Sequence, residues 1–425
     1  MTMMRFSAAP AGPLGDLNAP WAVFGERAGD PDGLEGTALA GVNLAQIASS
    51  PGAPMFETES LFGAHMAGLD LKLNPDEPAV VFVHGLGYEP RRPVVARFKS
   101  DNAHRCLYHF TETPEGPGSW EERRLRLTPW FARALVDGGR GAEEDAHGLA
   151  VGFCYTAGGG AADLCRPSWR ARAQAALGLV PPWARVPAGF GRAYRDAEQA
   201  GYGLAAVLRQ VAARLDHGGM RQKRIDLICH GLGARVMFAA LALLAQRCPD
   251  DWTLARIDRV IVLGGLAYWG QAAHGLANIL FSEVAPRPNF YNVTARQDDV
   301  LTWLETRSML DSARREAAED LTLDAEQRRM LRRGRMIGRS GKPPAALYNF
   351  FGPDYPEWVD IALDNDGVRA WGKTHGLDLR GRRRFSFGDH GLSFTHPGNW
   401  GLYRKILRER RGWSAQELAT RLVKL

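Results

Sequence analysis

Residues 225–236 read Ile225-Asp226-Leu227-Ile228-Cys229-His230-Gly231-Leu232-Gly233-Ala234-Arg235-Val236. An apolar, β-branched run passes into a glycine-bearing turn and then into an amphipathic helical pattern. That is the layout of a strand–turn–helix elbow of the G-x-S-x-G kind, whose central serine is held out on a sharp bend as a nucleophile. The five positions here are Cys229, His230, Gly231, Leu232 and Gly233, so the place for the hydroxyl carries only hydrogen. The frame is written and its nucleophile is not.

Working outward, the 425 residues suffice for one large α/β domain with insertions. A content of 45% hydrophobic and 24% charged residues is that of a globular chain with a full core. The sequence holds no apolar run of bilayer length, and Met1-Thr2-Met3-Met4-Arg5-Phe6 leads into Ala, Pro and Gly rather than into an apolar signal core. Five cysteines (Cys106, Cys154, Cys165, Cys229, Cys248) are an odd number with no C-x-x-C pair, which argues against a disulfide framework or a zinc site. The expectation is a soluble, cytoplasmic protein.

Net charge is +6 and unevenly spread. Arginines crowd residues 307–340 (Arg328, Arg329, Arg332, Arg333, Arg335, Arg339) and recur at Arg380, Arg382, Arg383 and Arg384. A solvated helical face accounts for such runs. Nucleic-acid binding through them is the disfavoured alternative, because interleaved aromatics and a recognisable module are missing.

Along the chain, residues 1–55 are rich in Gly, Ala and Pro and read as a loosely ordered N-terminal segment, with the domain proper over 56–425. Patchy alternation over 55–73 suggests antiparallel edge strands. Ala79–Val83 is an unbroken β-branched and aromatic run, as a central parallel strand requires. Leu149–Tyr155 is the next strand, followed by an insertion over 157–190. A helix is predicted over 194–215 from Ala197, Ala200, Leu204, Val207 and Val211. The elbow strand 225–229, a helix over 232–246, and strands at 259–263, 290–293 and 384–387 complete the core. Residues 307–383 read as a basic helical insertion before the last strand, and 402–425 as one basic amphipathic helix. Alternating strands and helices imply a doubly wound, mostly parallel sheet.

Acyl transfer at such an elbow needs a base, a carboxylate to orient it, and donors for the oxyanion. In chain order the acid follows the nucleophile and the histidine comes last. Thr294-Ala295-Arg296-Gln297-Asp298-Asp299 leaves an apolar strand; Asp299 is the favoured acid, with Asp298 as alternative. Asp298 can equally cap a helix beginning near Val300. His390 follows the last strand in Gly388-Asp389-His390-Gly391 and is the candidate base, with His396 as alternative. Backbone N–H groups around Gly85 and Leu86, and of Leu232, are the oxyanion donors. His84 and His230 flank the pocket, His84 as a brace for its loop. Trp303, Tyr348, Phe350, Phe351, Tyr355 and Trp358 are apolar enough to line an acyl pocket if the insertion acts as a cap; ordinary helical packing explains them as well.

These motifs together resemble the α/β-hydrolase superfamily, in particular an esterase-like branch with a His-Ser-Leu-Gly elbow. The matches are His84-Gly85 after a strand, Phe153-Cys154-Tyr155, the helix Tyr194-Arg195-Asp196-Ala197-Glu198-Gln199-Ala200, and His230-Gly231-Leu232-Gly233. The resemblance covers roughly residues 75–310 and 384–408. It implies carboxylic-ester or similar acyl hydrolysis by a Ser-Asp-His triad without metal or cofactor. The departure is Gly231. Removing the serine of such a triad costs about a million-fold in turnover, or roughly 8 kcal/mol of barrier. The expectation is therefore a catalytically impaired derivative that binds a small acyl or ester ligand, or a partner, in the old site. The alternative is an ester hydrolase that uses a His390-activated water, or whose serine is absent from this sequence through engineering or a sequencing variant.

Overall fold

The computed structural model describes residues 2–10, 21–25, 38–42, 66, 73–74, 76–86, 88, 103–108, 110, 129–139, 141, 143–157, 190–247, 252–282, 284–295, 298, 301, 336–339, 355–381, 391–409 and 411–422. Its strands are β1 (Thr2–Pro10), β2 (Trp21–Gly25), β3 (Ala38–Val42), β4 (Ala79–Val83), β5 (Leu149–Tyr155), β6 (Ile225–His230), β7 (Ile257–Leu263), β8 (Asn289–Thr294) and β9 (Trp358–Ala362). The helices are α1 (Ala103–Cys106), α2 (Trp130–Leu135), α3 (Phe190–His217), α4 (Gly233–Arg247), α5 (Trp252–Arg256), α6 (Trp269–Phe281), α7 (Asp366–Thr374), α8 (Leu392–Thr395), α9 (Pro397–Arg408) and α10 (Ala415–Leu422).

The strands join in one nine-stranded sheet, order β3-β2-β1-β5-β4-β6-β7-β8-β9. From β1 to β9 every neighbouring pair is parallel, and only the β1–β2–β3 flank is antiparallel. This is an α/β fold with a mostly parallel sheet. Successive side chains of a strand point to opposite faces, and β4 uses both. Ala79, Val81 and Val83 enter a core with Leu204 and Val207 of α3, Val236 and Leu241 of α4, and Ile279 of α6. Val80 and Phe82 enter a second core with Trp130 and Phe131 of α2 and Trp400 and Tyr403 of α9. Covering on both faces is why β4 and β5 lack polar alternation.

Four expectations need correction. The N-terminal segment, read as loosely ordered, supplies β1, β2 and β3. Its small residues resemble a linker by composition, yet Met4, Phe6 and Ala8 alternate into the α3-side core while β1 pairs with β5 from Thr2 to Ala8. Residues 307–383 are not one helical insertion. They contain β9, in parallel register with β8, and a tight segment, Met336–Arg339, lying against the loops after β7 and β8. Trp358-Val359-Asp360-Ile361-Ala362 is a short edge strand whose alternate residues Val359 and Ile361 are buried; five residues are too few to display a clear period of two.

Tyr355 and Trp358 do not line a cap. Tyr355 donates to the Pro288 carbonyl at 3.0 Å, and the Trp358 ring stacks on Phe290 at 5.6 Å. Trp303, Tyr348, Phe350 and Phe351 lie outside the described residues. The C-terminal helix is two helices, α9 and α10. Gly412 takes φ +79° between them, and Ser414 and Glu417 form a reciprocal capping box, Ser414 N–H donating to the Glu417 carboxylate at 3.0 Å and Glu417 N–H to Ser414 Oγ at 3.3 Å. The expected strand 384–387 and most of 55–73 and 157–190 lie outside the described residues.

Candidate active-site crevice at the ends of β4 and β6

The chain leaves β4, crosses through α1 and α2 and enters β5 on one side; it then crosses through α3 and enters β6 on the other. Because α2 packs on one face and α3 on the opposite one, the loops after β4 and β6 diverge. Such a switch point opens a crevice at the carboxyl ends of the strands. The residues singled out in the sequence at 84–86 and 230–233 stand there.

Gly231 ends β6 with φ +52°, in the left-handed region that favours glycine. The bend is pinned from both sides. Gly231 N–H donates to the Leu263 carbonyl at 2.9 Å, while the Gly231 carbonyl accepts from Leu266 at 2.8 Å and Ala234 at 3.2 Å. Helix α4 starts at once because Gly233 has no side chain. A Cβ there would lie 2.5 Å from the His84 carbonyl oxygen and 2.7 Å from that of Val83, so only glycine lets the helix abut the end of β4. Gly85 is as close on the other loop: its Cβ would fall 2.7 Å from His230 Nδ1. Among the described residues neither the Leu86 nor the Leu232 N–H donates to a protein acceptor, and Leu232 is fully buried. These two N–H groups stand on adjacent loops, Leu86 half-buried and Leu232 buried.

The two histidines here have different surroundings. His84 Nε2 accepts from the Tyr155 N–H at 3.0 Å, which puts the ring proton on Nδ1, where it donates to the Gly85 carbonyl at 2.6 Å. The ring stacks on Tyr155 with centroids 4.4 Å apart. Burial lowers its pKa from 6.5 to about 3, against the raising effect of the Gly85 carbonyl. A neutral, doubly held imidazole braces the β4 loop. His230 packs its ring edge-on against Phe394 at 4.3 Å and Trp130 at 6.2 Å. Cys229, one residue earlier, is sealed, and burial pushes its thiol up, so it offers no thiolate.

For the acid and base, Asp298 is buried and its Oδ1 accepts from the Leu301 N–H at 2.9 Å, the helix-start cap. Asp299 and His390 lie outside the described residues. The neighbour of His390, Gly391, opens the short α8, whose Phe394 is the residue against the His230 ring. His396 is the N-cap of α9: its Nδ1 accepts from the Gly398 N–H at 3.2 Å, with Pro397 in the first turn.

One pairing was invisible in the sequence. Ser7 Oγ on β1 lies 3.1 Å from His104 Nε2 on α1, 97 positions further along the chain. Both are sealed, at 0% and 1% exposure. Burial, then the positive charge of Arg5, hold His104 well below its usual pKa. Nothing local in either stretch marks the contact, since the β1–β5 pairing creates it.

Among the described residues no group of three or more His, Cys, Asp or Glu side chains could hold a metal ion, and no helix is long and apolar enough to cross a membrane. No family model, curated protein or solved structure matches this chain.

Proposed function

We propose that the chain is an α/β-hydrolase-type, esterase-like protein whose crevice binds a small acyl or ester ligand, with Gly231 in the nucleophile's place and efficient turnover lost. The observation that carries this reading is the backbone at Gly231: φ +52° at a strand-to-helix bend, at the carboxyl end of a central parallel strand. That is where a serine hydroxyl would be exposed. Three features support it. The β5-β4-β6 order puts the β4 loop beside the bend. The Leu86 and Leu232 N–H groups have no acceptor among the described residues, as donors awaiting an oxyanion would. Asp298 leads the loop after β8, in the chain order that such a triad follows.

In this reading Asp299 orients His390, and Asp298 caps the acid loop. The ligand's carbonyl oxygen takes the Leu86 and Leu232 N–H groups, and its carbonyl carbon stands over Gly231 with no oxygen to attack it. An apolar, acyl-bearing ligand of modest size is held without being cleaved.

The test is p-nitrophenyl acetate and butyrate turnover by the chain as it stands and by Gly231→Ser. The expected gain is at least about a thousand-fold in kcat, a fraction of the roughly million-fold attached to such a serine. Asp299→Ala and His390→Ala should each abolish the gain. No gain from Gly231→Ser would remove the hydrolase reading. Efficient turnover by the unaltered chain, lost in His390→Ala, would replace impairment with a water-based mechanism.

A further inference from the structure

Met336–Arg339 has no role in the crevice just described, yet it is the best-anchored piece of the arginine-rich stretch. Met336 and Ile337 are fully buried. Met336 bridges Tyr268 in antiparallel fashion, and Ile337 N–H donates to the Ala267 carbonyl at 3.0 Å. Asn292, buried in the middle of β8, uses both amide hydrogens: Nδ2 donates to the Ile337 carbonyl at 2.8 Å and to Asp360 Oδ1 at 2.7 Å. The four-residue strap is thereby tied to β8, β9 and the loop after β7 together.

Its hydrogen bonds complete a continuous path. Gly231 accepts from Leu266 at 2.8 Å; one residue back, Gly265 accepts from Gly338 at 3.0 Å. Gly338 accepts from Ala295 at 3.2 Å, and Ala295 accepts from Asp298 at 3.1 Å. Asp298 Oδ1 then accepts from Leu301 at 2.9 Å. The bend that lacks its serine and the loop that carries the acid are joined through one residue, Gly338. The junction has no slack: a Cβ on Gly338 would fall on the Gly265 nitrogen and 2.5 Å from the Gly264 carbonyl carbon, and one on Gly265 would lie 2.7 Å from Ile337 Cδ1.

We infer that the Ile337–Gly338 strap is a positioning element that sets the acid loop at Asp298 against the elbow at Gly231. The inference deepens the acyl-site reading and rests on it for its functional meaning. The hydrogen-bond path itself can be tested without any activity.

Two measurements separate the possibilities. In the Gly231→Ser background, Gly338→Ala must displace the strap; kcat on p-nitrophenyl butyrate should drop about 10- to 100-fold with KM within about twofold, the mark of misplaced groups rather than lost binding. Asn292→Ala, which removes the strap's latch and leaves the glycines alone, should give the same split. A strap that is merely structural would lower the melting temperature and leave kcat per titrated active site unchanged; that result overturns the inference and spares the acyl-site reading. If Gly231→Ser itself gains no turnover, the acyl-site reading fails. The strap is then judged by amide hydrogen exchange in Gly338→Ala of the otherwise unaltered chain. Exchange at Leu266, Ala295 and Asp298 should rise together by at least about tenfold while Ile228 in β6 is unmoved. Unchanged rates at those amides would reject the coupling.

Discussion

On β1 a serine hydroxyl touches an imidazole at 3.1 Å, and at the end of β6 a bend of the shape that presents a nucleophile carries no side chain. The first place has the functional groups of a hydrolytic dyad and the second has the architecture. Ser7 and His104 are sealed between the sheet and α1, with His104 held neutral by burial. Both are closed to solvent, and the contact satisfies buried polar groups. At Gly231 two strand ends, two loops and a helix start converge at a crevice, and two backbone donors are left over among the described residues. On the proposed reading, position in the topology decides which of the two acts on a ligand.

That contrast can be broken most sharply at Gly233. In the Gly231→Ser background, Gly233→Ala would push α4 off the His84 and Val83 carbonyls. Turnover should fall by about a hundred-fold, the scale attached to roughly 1 Å of misplacement; an unchanged kcat would mean that the close approach of α4 to β4 is not what aims the bend.

The two buried histidines sharpen the comparison through pH. Burial holds His84 at about 3 in the folded chain, against 6.5 unfolded. The unfolded chain therefore takes up the proton first: the stabilisation is complete above pH 6.5 and is lost as pH falls toward 3. His84 steepens the loss by about 1.4 kcal/mol per pH unit within that window. His84→Asn should flatten the pH dependence of urea unfolding between pH 6 and pH 4 by about that slope. A slope equal to that of the unaltered chain would show that His84 is not the buried neutral brace.

The smallest effect is expected at Ser7. Ser7→Ala, added to Gly231→Ser, should leave turnover within about twofold, since a residue that touches neither substrate nor base carries no transition-state interaction. A large loss would move the chemistry from β6 to β1.

The core of the sheet was legible in the sequence because β4, β5, β6, β7 and β8 are apolar runs of strand length, and α3 keeps a stripe at helical spacing. The elbow was legible for a different reason. Glycines two apart after a strand are needed where backbone must meet backbone, and Gly233 meets it. β1, β2 and β3 were missed because the alanine, glycine and proline of residues 1–55 imitate a linker, and β9 because five residues carry too short a period. Asp298 was legible as two things at once, acid or cap, and its Oδ1 accepts from the Leu301 N–H as a cap does. The strap at Met336–Arg339 had no local signal, since its partners Gly265 and Ala295 lie more than forty residues away in sequence.

The left-handed turn at position 231 has a consequence for how the chain can change. Any residue with a Cβ would hold that dihedral at a penalty of about 1–2 kcal/mol, which glycine does not incur. On the proposed reading, glycine makes the bend sterically comfortable while disarming it. Reinstating a hydroxyl would have to overcome a conformational penalty before it conferred any rate, so within this scaffold robustness and reactivity at one position pull in opposite directions.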